Sequence, residues 1–463
     1  MYYTLQPVVR TIPISVLCCV LTATAILFAS EAAAVEDDLN GLYQRTQKLR
    51  EEMYQSQRRY EAQIDALEKR VMELEKSADN HPQSALPIED TAHNDATHQP
   101  QRPLEWSLSG LVAMGGSSAD ADELLLLEGG SHDPRKNGFT LQALALAVHA
   151  SLGAHLDATA SIVSHIEPDG ESVVELEQAY LRSTNQPQGL STMLGQFFLD
   201  FGEENKRHAD DWDFVDVPFL ITRLFGSDKL RSQGVQLVWD APLTWPSSVY
   251  LGAYNPNGET ATSFLYKPGE VVGGHVLQAR GVEGLDDLLY LLKWSHRFPA
   301  GTREHLGLGI SGLFGPNASG SSTDTQTYGL DLEWTRYRST QDRQPLFDWR
   351  TEIMYRRYEA GDSSNPDHEI LTDYGAFTQA VWQFCDNWMA GLRAEYADSN
   401  KGSGDDPLRD RRKRFSVNLT HPFAQYVKWR LQYNHDRADY LSGGNANSAW
   451  LQLVYQAGEH DEH

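Results

Sequence analysis

Residues 428–434 read KWRLQYN, and this short stretch carries the choice of fold. Trp429, Leu431 and Tyr433 alternate with Lys428, Arg430, Gln432 and Asn434. A period of two puts each set on its own face of an extended chain. One face then meets an apolar medium and the other meets water. The pattern recurs. Tyr328, Leu330, Leu332 and Trp334 alternate with Gly329, Asp331, Glu333 and Thr335. Phe415, Val417 and Leu419 alternate with Arg414, Ser416, Asn418 and Thr420, and Leu451, Leu453 and Tyr455 with Gln452, Val454 and Gln456. A soluble sandwich gives such rows as readily as a membrane barrel, so periodicity alone leaves that choice open.

Three features tip it toward a membrane barrel. Tryptophans crowd the ends of the apolar rows (Trp239, Trp245, Trp294, Trp334, Trp349, Trp382, Trp388, Trp429 and Trp450), as an interfacial girdle needs. Short connections (Gly153-Ala154, 185–189, 243–246, 423–426) alternate with long ones (120–136, 206–229, 259–286, 397–411). The faces opposite the apolar rows are rich in charge, including Asp331, Glu333, Glu352 and Glu395. Residues 104–457 give about 22 residues for each of about sixteen antiparallel strands and its connection, against the ~9–11 that a crossing strand needs. Both ends of the barrel then lie on the periplasmic side, with Trp and Tyr at both rims.

Composition agrees. Hydrophobic residues make up 40% and mean hydropathy is −0.48, which excludes a bundle of membrane helices. Lys and Arg number 39 against 64 Asp and Glu, a net charge of −25 that argues against nucleic acid as a partner.

The residues ahead of the barrel read as three pieces. Residues 1–34 have the form of a signal peptide, with an apolar run from Ile14 to Ala29 and Ala32-Ala33-Ala34 as the cleavage site. Its removal leaves Cys385 as the lone cysteine, so no internal disulfide forms. Residues 35–78 carry Leu39, Leu42, Leu49, Met53, Tyr60, Ile64, Leu67, Val71 and Leu74 at three- and four-residue steps, with one offset near Gln57. That spacing predicts a self-associating periplasmic coiled coil. Residues 79–103 are a Pro- and Asp-containing linker, and 458–463 a polar tail.

The stretch from Glu175 to Trp239 adds a likeness. It contains ELEQAYLRST (175–184), GLSTMLGQFFLDFGEENKRHADDWDFVDVPF (189–219) and LFGSDKLRSQGVQLVW (224–239). The AYL strand, the GQF…FG…N…H turn and the Gly-Val-Gln-Leu strand after a long insertion resemble the phosphate-selective-porin-like family of bacterial outer-membrane proteins. The resemblance implies a 16-stranded, trimeric porin whose third long loop, here Lys206–Lys229, folds inward and narrows the pore. Selectivity in such pores comes from charge at the constriction. The candidates here are His208, Asp210, Asp211, Asp213 and Asp216. Four Asp in seven residues depart from the lysine and arginine clusters of phosphate-selective members, so a phosphate pore is not expected.

Facing this acidic loop, a basic wall of Arg350, Arg356, Arg393, Arg412, Arg414, Lys428 and Arg430 is expected on the later strands. An acidic loop opposite a basic wall sets up a transverse field that favours polar or zwitterionic solutes. Five of the 25 excess negative charges fall before residue 104, leaving about −20 for the barrel and tail and hence a weak preference for cations. His208 with its neighbouring aspartates has the ligand types of a metal site, but a solvated acidic loop accounts for them as well, and no metal or cofactor is expected. No GxSxG, HExxH, P-loop or CxxCH motif is present, so no enzyme is expected. The expected function is a passive pore for small hydrophilic solutes or ions, with outer-membrane lipid and sister subunits as partners. Two other readings stay open: a receptor or uptake channel for a metal or siderophore complex, and a tether to the cell wall through the coiled coil.

Overall fold

The computed structural model describes Lys69 and residues 104–184, 186–339, 344–361, 367–400 and 406–458. The signal peptide, the linker, the tail beyond 458 and, Lys69 apart, the coiled coil lie outside the described residues. Sixteen antiparallel strands close into one barrel. In chain order they begin β1 (Leu104–Ser117), β2 (Gly138–Ser151), β3 (Leu156–Ile166), β4 (Ser172–Ser183), β5 (Leu190–Phe198), β6 (Arg231–Asp240) and β7 (Ser247–Tyr254). A two-residue ribbon, β8 (Val271–Val272) with β9 (His275–Val276), sits in the next loop, outside the barrel sheet. The barrel resumes with β10 (Leu289–Pro299), β11 (Glu304–Pro316), β12 (Asp324–Arg336), β13 (Phe347–Ala360) and β14 (Glu369–Cys385). It ends with β15 (Trp388–Ser399), β16 (Arg412–Ala424), β17 (Val427–Ala438) and β18 (Asn445–Gly458), and β18 pairs with β1 to close the ring. Closure leaves no strand edge open, which a chain in hydrocarbon requires.

The alternation read from residues 428–434 sorts the side chains as expected. Leu431 and Leu453 are 49% and 47% exposed on the outer surface, whereas Arg430 and Gln452 are 2% and 0% exposed inside. Register carries the sorting across strands, because Leu431 faces Leu419 on one side and Leu451 on the other. The last strand continues past Tyr455 to Gly458, which pairs with Ser107. Gly458 has φ +100°, and a Cβ there would run into the Trp106 carbonyl, so the closing pair needs glycine.

The tryptophans of the aromatic girdle are one-sided. Trp106, Trp239, Trp334, Trp349, Trp382 and Trp429 all lie toward the rim with the short turns. Trp334 faces Trp349 across β12 and β13, and Trp388 stacks on His421 with ring centroids 4.4 Å apart. The opposite half carries tyrosine instead, with Tyr328, Tyr355 and Tyr374 in one cross-strand row. Trp450 does not belong to the girdle, being fully buried. It shares its phase with Gln452, so strand parity sends it inward.

The interior is not uniformly polar. Leu289, Leu291, Leu313, Met354, Phe377 and Ala397, contributed by strands β10 to β15, form an apolar core with residues of the loop after β5. Buried polar and charged side chains share the interior all round the ring, among them Gln142 on β2, Glu177 on β4, Asp331 on β12, Arg350 and Glu352 on β13, and Arg414 and Arg430 on β16 and β17. If the outer belt contacts lipid, Leu431→Arg, near the middle of β17, costs about 2–4 kcal/mol of folding free energy in vesicles, while Leu104→Arg at the rim costs about 0–1. Urea titration in lipid vesicles measures both, and equal costs would contradict a lipid-facing belt.

Candidate functional site

The loop between β5 and β6, residues 199–230 and called L3 below, is too apolar to stand in water. Phe201, Trp212, Phe214, Val215, Val217 and Leu230 are all buried within it. Its helix α2 (Phe219–Phe225) starts after Pro218, which suits a helix entrance, and stops at Gly226 with φ +91°. A shorter helix in the first loop, α1 (Ala121–Leu127), is capped by Asp120, whose carboxylate accepts from Glu123 N at 2.8 Å. The apolar residues of α2 join the core on β10 to β15. L3 is therefore folded into the barrel rather than over its mouth.

The acidic stretch of L3 meets the basic wall directly. The Asp216 carboxylate pairs with Arg393 and with Arg414 (2.7 Å) and accepts from Gln432 (2.9 Å) and Asn434 (3.0 Å). Burial would raise the Asp216 pKa, but Arg393 and Arg414 hold it well below the usual carboxylate range. Asp213 pairs with Arg350 and with Arg207 (2.9 Å), and its carbonyl accepts from Asn418 at 2.7 Å. Arg430 donates to the carbonyls of Trp212 (2.6 Å) and Phe214 (2.9 Å). Lys428 donates to the Asp210 carbonyl at 3.3 Å, and the Asp211 carbonyl accepts from Arg207. The guanidinium of Arg393 also lies over the Phe214 ring, 4.5 Å from its centroid.

So His208, Asp210, Asp211, Asp213 and Asp216 share L3, and Arg350, Arg393, Arg414, Lys428 and Arg430 reach that loop from the wall. Arg356 does not. It pairs with Asp373 at 2.6 Å and donates to Ser263. Arg412 pairs with Asp436 at 2.8 Å, binds the Leu127 carbonyl at the end of α1, and touches L3 only through the Phe219 ring, 4.2 Å from its guanidinium.

Carboxylates on the wall complete the set. Glu352 accepts from the backbone N–H groups of Glu203 (2.9 Å) and Glu204 (2.6 Å), and Glu395 accepts from Phe219 N (2.7 Å). Lys293 donates to the Gly202 carbonyl and to Glu203, both at 2.7 Å. Asp373, Asp436 and Lys293 do not stand out in the sequence. Their parity was available there, since Asp436 shares a face with Arg430, Gln432 and Asn434. L1 (118–137) joins through Glu128, which pairs with Arg414 at 2.7 Å, and through Asp133, which accepts from Val217 N at 3.0 Å. Burial pushes the Asp133 pKa up to about 6, with Asp216 adding to the shift.

Two cavities flank this packed loop among the described residues. One, of about 60 Å³, lies against β1 to β4 and is lined by Ser109, Ser161, Glu177, Gln178, His208 and Asp210. The other, of about 370 Å³, lies on the long-loop side between α1, α2, the ribbon loop and residues 406–409.

His208 ties the tip of L3 to β4. Its Nδ1 lies 2.9 Å from Glu177 and its Nε2 2.8 Å from Gln178. Burial acts to lower its pKa, but the Glu177 carboxylate wins and raises it above the ordinary imidazole value. A raised folded-state pKa stabilises fully below about 6.5 and is lost as pH rises through the raised value. We therefore expect hydrogen exchange in L3, corrected for intrinsic rates, to speed up above neutral pH. His208→Gln removes that step, and a step that survives in the variant would assign it to another group.

No protein-family model and no curated protein matches the chain. Among solved structures, the fold is similar to the outer membrane channel DcaP of Acinetobacter baumannii, with TM-score 0.51, 14% identity, and coverage of 76% of this chain and 96% of that one. It is also similar to OprB of Pseudomonas putida (TM-score 0.49, 12% identity, 76% and 94%) and to the anion-selective porin from Comamonas acidovorans (0.48, 9%, 76% and 98%). The likeness is one of fold, a closed antiparallel barrel shared with the outer membrane channel DcaP.

Proposed function

We propose that this chain is a bacterial outer-membrane porin, a passive pore for small hydrophilic solutes or ions. The observation that carries the reading is the division of one barrel between two solvents. Its outer face is apolar with aromatic rims, and much of its inner face is charged. A barrel with those faces is stable across a lipid bilayer and polar along its axis. L3, pinned inside, is the proposed constriction, with His208, Asp210, Asp211, Asp213 and Asp216 on the loop side. Arg350, Arg393, Arg414, Lys428 and Arg430 are its wall. The resemblance to phosphate-selective-porin-like proteins supports a trimer, to which the coiled coil of residues 35–78 contributes.

Pairing changes the expected selectivity in degree. Asp213 and Asp216 are neutralised by arginines, so they do not set a strong cation filter. The surplus of carboxylates over bases still favours a weak cation preference.

Planar bilayer recordings test the proposal. We expect ohmic steps that arrive in groups of three and a reversal potential slightly toward cations across a KCl gradient. A silent barrel would remove the pore reading. A clearly anion-selective value would show that the arginine wall dominates.

A further inference from the structure

We infer that the 370 Å³ cavity is a docking site for a solute with one carboxylate and a neutral or cationic remainder, the class to which amino acids belong. The inference rests on the pore reading in treating the cavity as a stop on the solute's path.

The floor of the cavity is cationic. Arg356, Arg409 and Arg223 converge on the single carboxylate of Asp373, at 2.6, 3.2 and 3.3 Å, and Asp373 is fully buried. Three guanidiniums on one carboxylate leave two positive charges in excess. Arg412, also on the lining, is matched by Asp436 and the carbonyl of Leu127. Two N–H groups of the floor have no partner, Nη1 of Arg409 and Nε of Arg223. The side chains of both arginines are at least nine-tenths buried. Both of those atoms are shielded from the cavity, so what the floor presents to a solute is the excess positive charge of the cluster, and a guanidinium, which keeps its proton, matches a planar oxyanion such as a carboxylate.

The mouth has the opposite sign. Glu259 and Glu270 are exposed and Asp406 is half-buried, whereas the arginines lie deep. Glu259 pairs with Lys267 at 2.5 Å, and Asp406 accepts from Gly273 N at 2.8 Å. Glu270 adds a further negative charge beside Lys267, which it shares with Glu259. A second anionic group on the solute would lie against that rim and be repelled, while an ammonium would be drawn to it. Depth and sign together select a carboxylate-inward, cation-outward orientation.

Calorimetric titration of the full chain in detergent micelles tests this without requiring conduction. The probes are L-alanine, propionate, succinate and inorganic phosphate. We expect saturable L-alanine binding about tenfold tighter than succinate or phosphate, the worth of roughly one charge-assisted contact. Arg409→Gln weakens L-alanine and propionate alike. Glu270→Gln, at an exposed position that does not burden folding, weakens L-alanine, spares propionate and tightens succinate. Tighter binding of succinate or phosphate by the wild type overturns the inference, as does an absence of saturable L-alanine binding. If Arg409→Gln fails to fold, an unchanged ratio of L-alanine to succinate affinity in Glu270→Gln overturns it instead. Ohmic steps without binding sink this inference and leave the pore reading. Binding to a barrel that stays silent in bilayers does the reverse.

Discussion

The carboxylate of Asp216 lies between Arg393 and Arg414, with Gln432 and Asn434 completing its contacts, and this one buried group fixes where L3 can lie. A buried carboxylate without partners costs several kcal/mol, and two buried arginines without a carboxylate cost at least as much. Neither side can leave the other cheaply. Arg414 also holds Glu128 of L1 and Asp436 of β17, so both long loops and the wall share one charge network. The arginines act here as fasteners more than as a free ladder facing water.

The network has an apolar counterpart on the other side of L3. The residues of α2 pack against inward leucines, a methionine and a phenylalanine from β10 to β14. One face of L3 is thus held by burial of apolar area and the other by charge. Burial of a large apolar side chain is worth roughly 1.5–3 kcal/mol, so several together rival the ion pairs. Two cavities flank the loop among the described residues. Any solute path must run past side chains already paired with each other, which gives contacts of opposite sign in place of a single-sign ring.

Much of this was legible in the sequence, because a period of two maps onto faces without reference to tertiary structure. The strand at residues 428–434 shows it, with Leu431 outside and Arg430 inside. The inward course of L3 was legible through the likeness at residues 189–219 and the position of the loop. Trp450 was misread for a specific reason: residue type suggested the girdle while its phase with Gln452 pointed inward. The one-sided placing of the tryptophans was missed likewise, since a tryptophan count carries no information on which rim each occupies. Nor does sequence disclose partner choice at long range. That Arg356 joins Arg223 and Arg409 on Asp373, while Arg393 goes to Asp216, depends on where L3 settles within the ring.

The central claim is that L3 is held inside the barrel by the Asp216 carboxylate on the arginine wall. A double-mutant cycle of Asp216→Asn and Arg414→Gln, read by urea unfolding in vesicles, measures that coupling most directly. The account predicts a coupling energy above about 1.5 kcal/mol, as close buried charge pairs give. Additive effects, within about 0.5 kcal/mol, would contradict it and place L3 elsewhere.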